Sequence, residues 1–175
     1  MKNKRIYDEN GRNFIKDYLK NKDIILDLGS NEHTIFERAI SIDNGINLTE
    51  EQLKNIDYIL DLNNIEHLPN CDGICMSHIL EHIIDTRKIL KVCYESLNDG
   101  GRIAICVPDG ETVPYKTLGD SSLTHEMLFT PTTIKLYLEH IGFKNVISKY
   151  YDRPYAYNKT MGIFACGEKQ LKNNG

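Results

Sequence analysis

The sequence predicts an α/β fold. It reads as a doubly wound sheet of about seven strands, mostly parallel, closed by an antiparallel C-terminal hairpin. Three observations predict this. Short apolar runs alternate with helical patterns over the first two thirds of the chain, as in a parallel sheet covered on both faces. The last two apolar runs, "NVISKYY" and "TMGIFACGE", have no helical pattern between them, so they should pair antiparallel. One run, "RIAICVP", is apolar almost throughout, which suits a central strand.

The elements follow in order. Phe14, Ile15, Tyr18 and Leu19 recur at helical spacing, so a leading helix covers Asn10 to Leu19. The first strand is Ile24 to Leu28, and a short second strand runs from Ala39 to Ile42, closed by Asp43. "NLTEEQLKN" opens a helix, with Thr49 as cap and Gln52 completing a capping box. "DYILDL" is the third strand and Gly73 to Ser77 the fourth. Asp85 caps a helix to about Leu97 that buries Ile89, Leu90, Val92, Cys93 and Leu97. "NDGG" is expected to stop it, with glycine in the left-handed turn. The fifth strand is Arg102 to Pro108, and a loop of some twenty residues, Asp109 to Phe129, follows. A loop of that length in a compact domain is usually functional. Thr130 and Pro131 then start a helix with Ile134, Leu138 and Ile141 on one face, ended by Gly142. Its hairpin partners are joined by "DRPYAYNK".

The bulk numbers bound the function. The 175 residues suit one domain, with a core over about residues 10–168. A net charge of -4 argues against nucleic acid as partner, because phosphate backbones attract basic surfaces. The short basic start, "MKNKR", reads as a solvated terminus. No apolar run has the length of a membrane span and no signal peptide is evident, so a cytoplasmic protein is expected. Five cysteines, odd in number and in apolar surroundings, suit reduced core thiols. Cys71 and Cys75 lack a second pair at ligand spacing, so no metal site is expected.

Four stretches carry a family resemblance. "ILDLGS" ends the first strand and "SHILEHI", Ser77 to Ile83, follows the fourth. "LNDGGRIAICVPD" enters the fifth, and "HEMLFTPTTIKLYLEHIGF" spans the last helix. In this order, over about Asn10 to Glu168, they resemble the class I S-adenosylmethionine-dependent methyltransferases, in their compact small-molecule, type-11-like branch. The resemblance implies a Rossmann-like sheet whose last strand is antiparallel. It also implies S-adenosylmethionine as cofactor, released as S-adenosylhomocysteine.

In such a sheet the ligand lies across the carboxyl ends of the strands, where strand order reverses. That places Asp27, Gly29, Ser30 and Asn31 at the cofactor after the first strand. Gly29 lets the backbone pass close, and Ser30 and Asn31 can offer N–H groups to a carboxylate. Asp43, with Asn44 beside it, is placed for the ribose hydroxyls, since a carboxylate has paired acceptors. The resemblance sets Asp61 and Leu62 at the adenine, and Ser77 and His78 beside the sulfonium. Asp27, Asp43 and Asp61 also fit a plainer reading as turn carboxylates. Glu81 and His82 fit either catalysis or a tie between the strand-four loop and the next helix. His33, His67 and His140, among polar neighbours, read as surface residues.

His125 is the first candidate base, because it lies in the long loop and imidazole titrates near neutrality; His78 is second. Tyr115, Asp109 and Glu111 share that loop and can line an acceptor pocket. The expected acceptor is a small molecule, a sugar or other metabolite, methylated on oxygen or nitrogen. A second copy or a partner protein can close the cleft.

The chain departs from the family pattern at the first turn. Gly29-Ser30-Asn31-Glu32-His33 replaces a run of three spaced glycines, and Asp27 and Asp43 are only sixteen positions apart. The first crossover must be a turn or a single helical turn near Ile35 to Arg38. Asn tolerates positive φ, so Asn31 can stand in for the second glycine. Glu32 brings a charge toward the cofactor's carboxylate. These departures keep a second reading open, a degenerate methyltransferase fold that serves as a binding or scaffolding subunit. A nicotinamide-dependent oxidoreductase fits poorly, because it needs three spaced glycines of which only Gly29 is present, and the terminal hairpin does not suit it.

Overall fold

The structure, a computed structural model, describes residues 8–31, 33–46, 48–111, 125–152 and 161–171. Tyr115, Glu32, "MKNKR" and most of the hairpin connection lie outside them. The chain order is α1 (Glu9–Leu19), β1 (Ile25–Leu28), β2 (Ile40–Asp43), α2 (Glu50–Leu53), β3 (Tyr58–Ile59) and β4 (Cys71–Ser77). A 3₁₀ turn (Leu80–His82) leads to α3 (Thr86–Ser96), β5 (Leu97–Pro108), α4 (Pro131–Ile141), β6 (Lys144–Asp152) and β7 (Met161–Glu168).

The strands form one seven-stranded sheet in the order β3-β2-β1-β4-β5-β7-β6. β1 pairs in parallel with β2 and β4, and β4 with β5. β7 inserts antiparallel between β5 and β6. The expected doubly wound sheet with its antiparallel hairpin is therefore present.

Side-chain alternation on the strands builds two cores. Leu26, Ile74, Met76, Ile103 and Ile105 face α3 and α4, where Ile89, Leu90, Cys93, Ile134 and Leu138 meet them. Ile25, Cys75, Ala104 and Cys106 face α1, where Ile15 and Leu19 meet them together with Ile35 and Ala39 of the crossover. All five cysteines are buried free thiols.

Helix starts follow the sequence signals. Asp85 accepts from the Lys88 N–H, and Thr130 and Thr133 cap α4 reciprocally ahead of Pro131. Gly142 ends α4 at φ 120°. Three expectations change. The Thr49–Gln52 capping box forms, yet its helix is one turn long. "DYILDL" pairs only at Tyr58 and Ile59, because this edge strand finds a partner on one side alone and Asp57 is drawn away to Ser41. Glycine does not stop α3. Leu97 is already extended, and the left-handed Gly100 comes later, where the β4–β5 register shifts between Cys71 and Gly73.

The crossover from β1 to β2 contains no helix among its described residues. It is held instead by hydrogen bonds. The Ile35 N–H donates to Asp27 Oδ2 at 2.5 Å, and the Ala39 N–H donates to Phe36 O at 3.0 Å. Ile35, 4% exposed, fills the space against the sheet that a helix would otherwise cover.

Candidate functional site

The sheet order reverses between β1 and β4, so their carboxyl ends diverge and open a crevice. A cleft of about 70 Å³ lies there. Gly29 reaches it from the end of β1, and Asp43 and Asn44 from the end of β2. Asp61, Leu62 and Asn63 line it after β3, and Ile79, His82 and Ile83 after β4. A larger depression of about 310 Å³ lies on the outer side of α1, between Arg12, Lys16 and His33. All the residues that line it, Glu9 and Asn13 included, are polar or charged, so it offers no apolar side chains for a base.

The turn after β1 is left-handed twice. Gly29 has φ 71° and Asn31 φ 55°, so Asn31 takes the conformation expected where a second glycine would stand. Its N–H donates to Asp43 Oδ2 at 2.9 Å. The Gly45 N–H donates to Asp43 Oδ1 at 2.9 Å. Asp43 therefore ties the ends of β1 and β2 together while facing the cleft. A side chain at Gly29 would collide with Ile79, whose atoms lie 2.5–2.9 Å from the place a Cβ would take.

Asp27 is placed differently. It is 1% exposed, and one carboxylate oxygen accepts from the crossover at Ile35. Burial pushes its carboxyl up to about 6, against the pull of the Ile35 N–H and the Arg12 charge. Ser30 is buried with its hydroxyl on Asn31 O. Asp61 accepts from the amides of Asn63 and Asn64, which closes a turn, and Leu62 packs into the core. Asp27, Ser30, Asn31 and Ser77 do not line the cleft, and Ser77 lies two residues before Ile79, the first of its β4 wall.

His78 has φ 56°, a strained conformation for a non-glycine residue. Its Nε2 lies 2.7 Å from Asp8 Oδ2, and its Nδ1 lies 3.5 Å from Glu81 Oε1. Asp8 also accepts from the Tyr151 hydroxyl and from the Gly11 N–H, so α1 is clamped to the strand-four turn. Burial opposes ionisation of both carboxylates, but the His78 hydrogen bonds and charge hold Asp8 and Glu81 below their ordinary values.

The two ends of the long loop meet. Asp109 and Phe129 form a parallel bridge, and the Gly110 N–H donates to Phe129 O at 2.8 Å. Farther along, the Glu126 and Met127 N–H groups both donate to Glu81 O. His125 is thereby brought beside the strand-four turn, with its ring 5.0 Å from that of His82 and edge-on to it. Sequence reasoning missed Asn63, Ile79 and Ile83. Asn63 Oδ1 accepts from the Ile84 N–H, a contact between distant loops that no local pattern announces.

The model of a family described as "Methyltransferase domain" matches residues 4–148. None of the curated proteins matches the sequence. Among solved structures, an S-adenosylmethionine-dependent methyltransferase from Thermotoga maritima superposes with TM-score 0.72 at 15% identity, over 95% of this chain and 91% of that one. A Burkholderia thailandensis 1,6-didemethyltoxoflavin N1-methyltransferase, with that compound and S-adenosylhomocysteine bound, gives 0.67 at 14% identity over 92% and 77%. Haemonchus contortus phosphoethanolamine N-methyltransferase 2, with phosphomonomethylethanolamine and S-adenosylhomocysteine bound, gives 0.68 at 14% identity. The match covers 93% of this chain but only 53% of that enzyme, so the chain spans about half its length. At these identities the likeness is one of fold.

Proposed function

This chain belongs to the class I S-adenosylmethionine-dependent methyltransferase family, and on that premise we propose that it moves the methyl group of S-adenosylmethionine onto an oxygen or nitrogen of a small-molecule acceptor. The observation that carries this reading is the single cleft at the switch point. Gly29, Asp43, Asn44, Asp61 and Leu62, drawn from three successive strand ends, line it together.

The residues have distinct parts in this reading. Each oxygen of Asp43 accepts one backbone N–H and keeps a lone pair, which suits the two ribose hydroxyls. Leu62, Ile79 and Ile83 supply apolar walls for the adenine. Gly29 and Asn31 shape the turn that passes the methionine part. Asp27 and Ser30 support that turn from beneath. The sulfonium already activates the methyl, so the protein's work is alignment, exclusion of water and removal of a proton where the acceptor carries one. His125 stands beside the strand-four turn, where Glu126 and Met127 dock on Glu81 O, and is assigned to receive that proton. His78 has both ring nitrogens turned to carboxylates, so its part is positioning the strand-four turn. Neighbours that carry S-adenosylhomocysteine beside a small substrate support a metabolite acceptor.

The test is a mass-spectrometric screen of hydroxylated and amine metabolites with S-adenosylmethionine. The expected result is one acceptor converted to its methylated form in step with S-adenosylhomocysteine release, slowed in His125→Ala. Cofactor binding without turnover of any acceptor would instead support the scaffolding reading. An unchanged rate in His125→Ala would remove that residue from the chemistry.

A further inference from the structure

We propose that Glu81, His82 and His125 form a binding site for a divalent transition cation of the zinc type. A carboxylate oxygen of Glu81 and one ring nitrogen of each histidine lie within 4.8 Å of one another. Glu81 Oε1 and His82 Nε2 are 4.0 Å apart. A tetrahedral ion with bonds of about 2.1 Å sets its donors roughly 3.4 Å apart, so small rotations of two partly exposed rings close the site.

A second observation points to a ligand. Glu81 is 2% exposed, and its Oε2 has no hydrogen-bond partner among the described residues. Buried carboxylate oxygens are normally satisfied, and an orphaned one asks for a cation or a water. The surroundings also hold the donors in place. The Glu81 carbonyl receives the Glu126 and Met127 N–H groups, which fixes the approach of His125. His78 Nδ1 stands 3.5 Å from Glu81 Oε1, the oxygen nearest His82, and helps fix the carboxylate's direction.

The donor set selects the ion. Two imidazoles and one carboxylate suit zinc, iron or nickel, whereas magnesium and calcium prefer oxygen alone. Three protein ligands leave at least one open position, the arrangement of catalytic rather than structural zinc. His82 also lines the cleft. If the methyltransferase reading holds, on which this last step alone rests, the open position meets an acceptor oxygen. With the ion absent His125 keeps its part as proton acceptor; with it bound, the ion would lower the acceptor's pKa and the proton would pass to solvent.

The experiment uses untagged, chelator-treated full-length chain, titrated with Zn²⁺ and, separately, with Co²⁺ for its absorption spectrum. One ion should bind per chain. His82→Ala and His125→Ala should each weaken it by roughly tenfold or more, while the exposed His140→Ala leaves it unchanged. The cobalt spectrum should show nitrogen and oxygen coordination without a thiolate charge-transfer band, since all five cysteines are buried. Far-UV circular dichroism confirms that each variant is folded. No stoichiometric binding, binding that survives either histidine substitution, or a thiolate spectrum overturns the site. S-adenosylhomocysteine titrated into the same samples reads the cofactor cleft separately, so failure of the metal site leaves the methyltransferase reading standing.

Discussion

Asn31 adopts the left-handed conformation that glycine adopts freely, at φ 55°. For most side chains that conformation costs roughly 1–2 kcal/mol, and asparagine bears it better than alanine does. Asn31→Gly should therefore hold or slightly raise stability, while Asn31→Ala should lose about 1 kcal/mol. Urea denaturation of both variants checks this, and equal stabilities would contradict it. Asp27 makes a pH prediction. Its folded value is raised, to about 6, so the buried carboxyl is favoured in its protonated form. Its contribution is fully present below the unfolded value near 3.8 and is lost as pH rises through about 6. The loss reaches at most about 3 kcal/mol. Asp27→Asn removes the titration while keeping an acceptor for the Ile35 N–H. The stability of Asp27→Asn relative to the native chain should thus grow from pH 4 to pH 7. A flat difference would mean that Asp27 is not desolvated. The part played by Asn31 was legible because positive φ is a property of residue type. That of Asp27 was not, because its partner depends on the path of a crossover whose sequence carries no periodicity.

The crossover is the element where this chain differs most from a full doubly wound unit. It spans Gly29 to Ala39 without a helix among its described residues, so its contact with the sheet rests on few side chains. Ile35 is the larger of the two buried apolar side chains there, the other being Ala39. Ile35→Ala should cost about 2–4 kcal/mol, a cavity penalty that few neighbours can relax into. Thermal unfolding reads this directly, and a loss below about 1 kcal/mol would show that the crossover packs loosely. A short crossover was legible from the sixteen-residue spacing of Asp27 and Asp43. The α4 caps and the box at Thr49 were legible too, because capping chemistry is local. The length of β3 and the end of α3 were not. An edge strand's extent is set by its one partner, and Leu97 leaves its helix because it pairs with Cys71 of β4.

At the scale of the whole molecule, the antiparallel pairing of β6 and β7 was legible from the lack of a helical pattern between them, whereas the place of β7 between β5 and β6 was not, because neighbours in a sheet are chosen by tertiary packing. The resemblance then placed Gly29, Asp43, Asn44, Asp61 and Leu62 in one cleft, where the structure brings them together. The β4 side was not foreseen, because Ile79 and Ile83 read as ordinary apolar residues until the turn brings Ile79 over Gly29 and Ile83 to the cleft. That side also sets a demand. Small-ligand pockets commonly measure roughly 300–1,000 Å³, and this cleft measures about 70 Å³. Admission of a nucleoside therefore requires the cleft to widen. Whether a turn with one glycine still holds the cofactor is the central claim. Isothermal titration of S-adenosylhomocysteine into the native chain and into Asp43→Ala tests it most directly. Micromolar binding, weakened by about tenfold or more in the variant through loss of charged hydrogen bonds, is the predicted result. No binding at millimolar ligand in a folded sample would contradict the account.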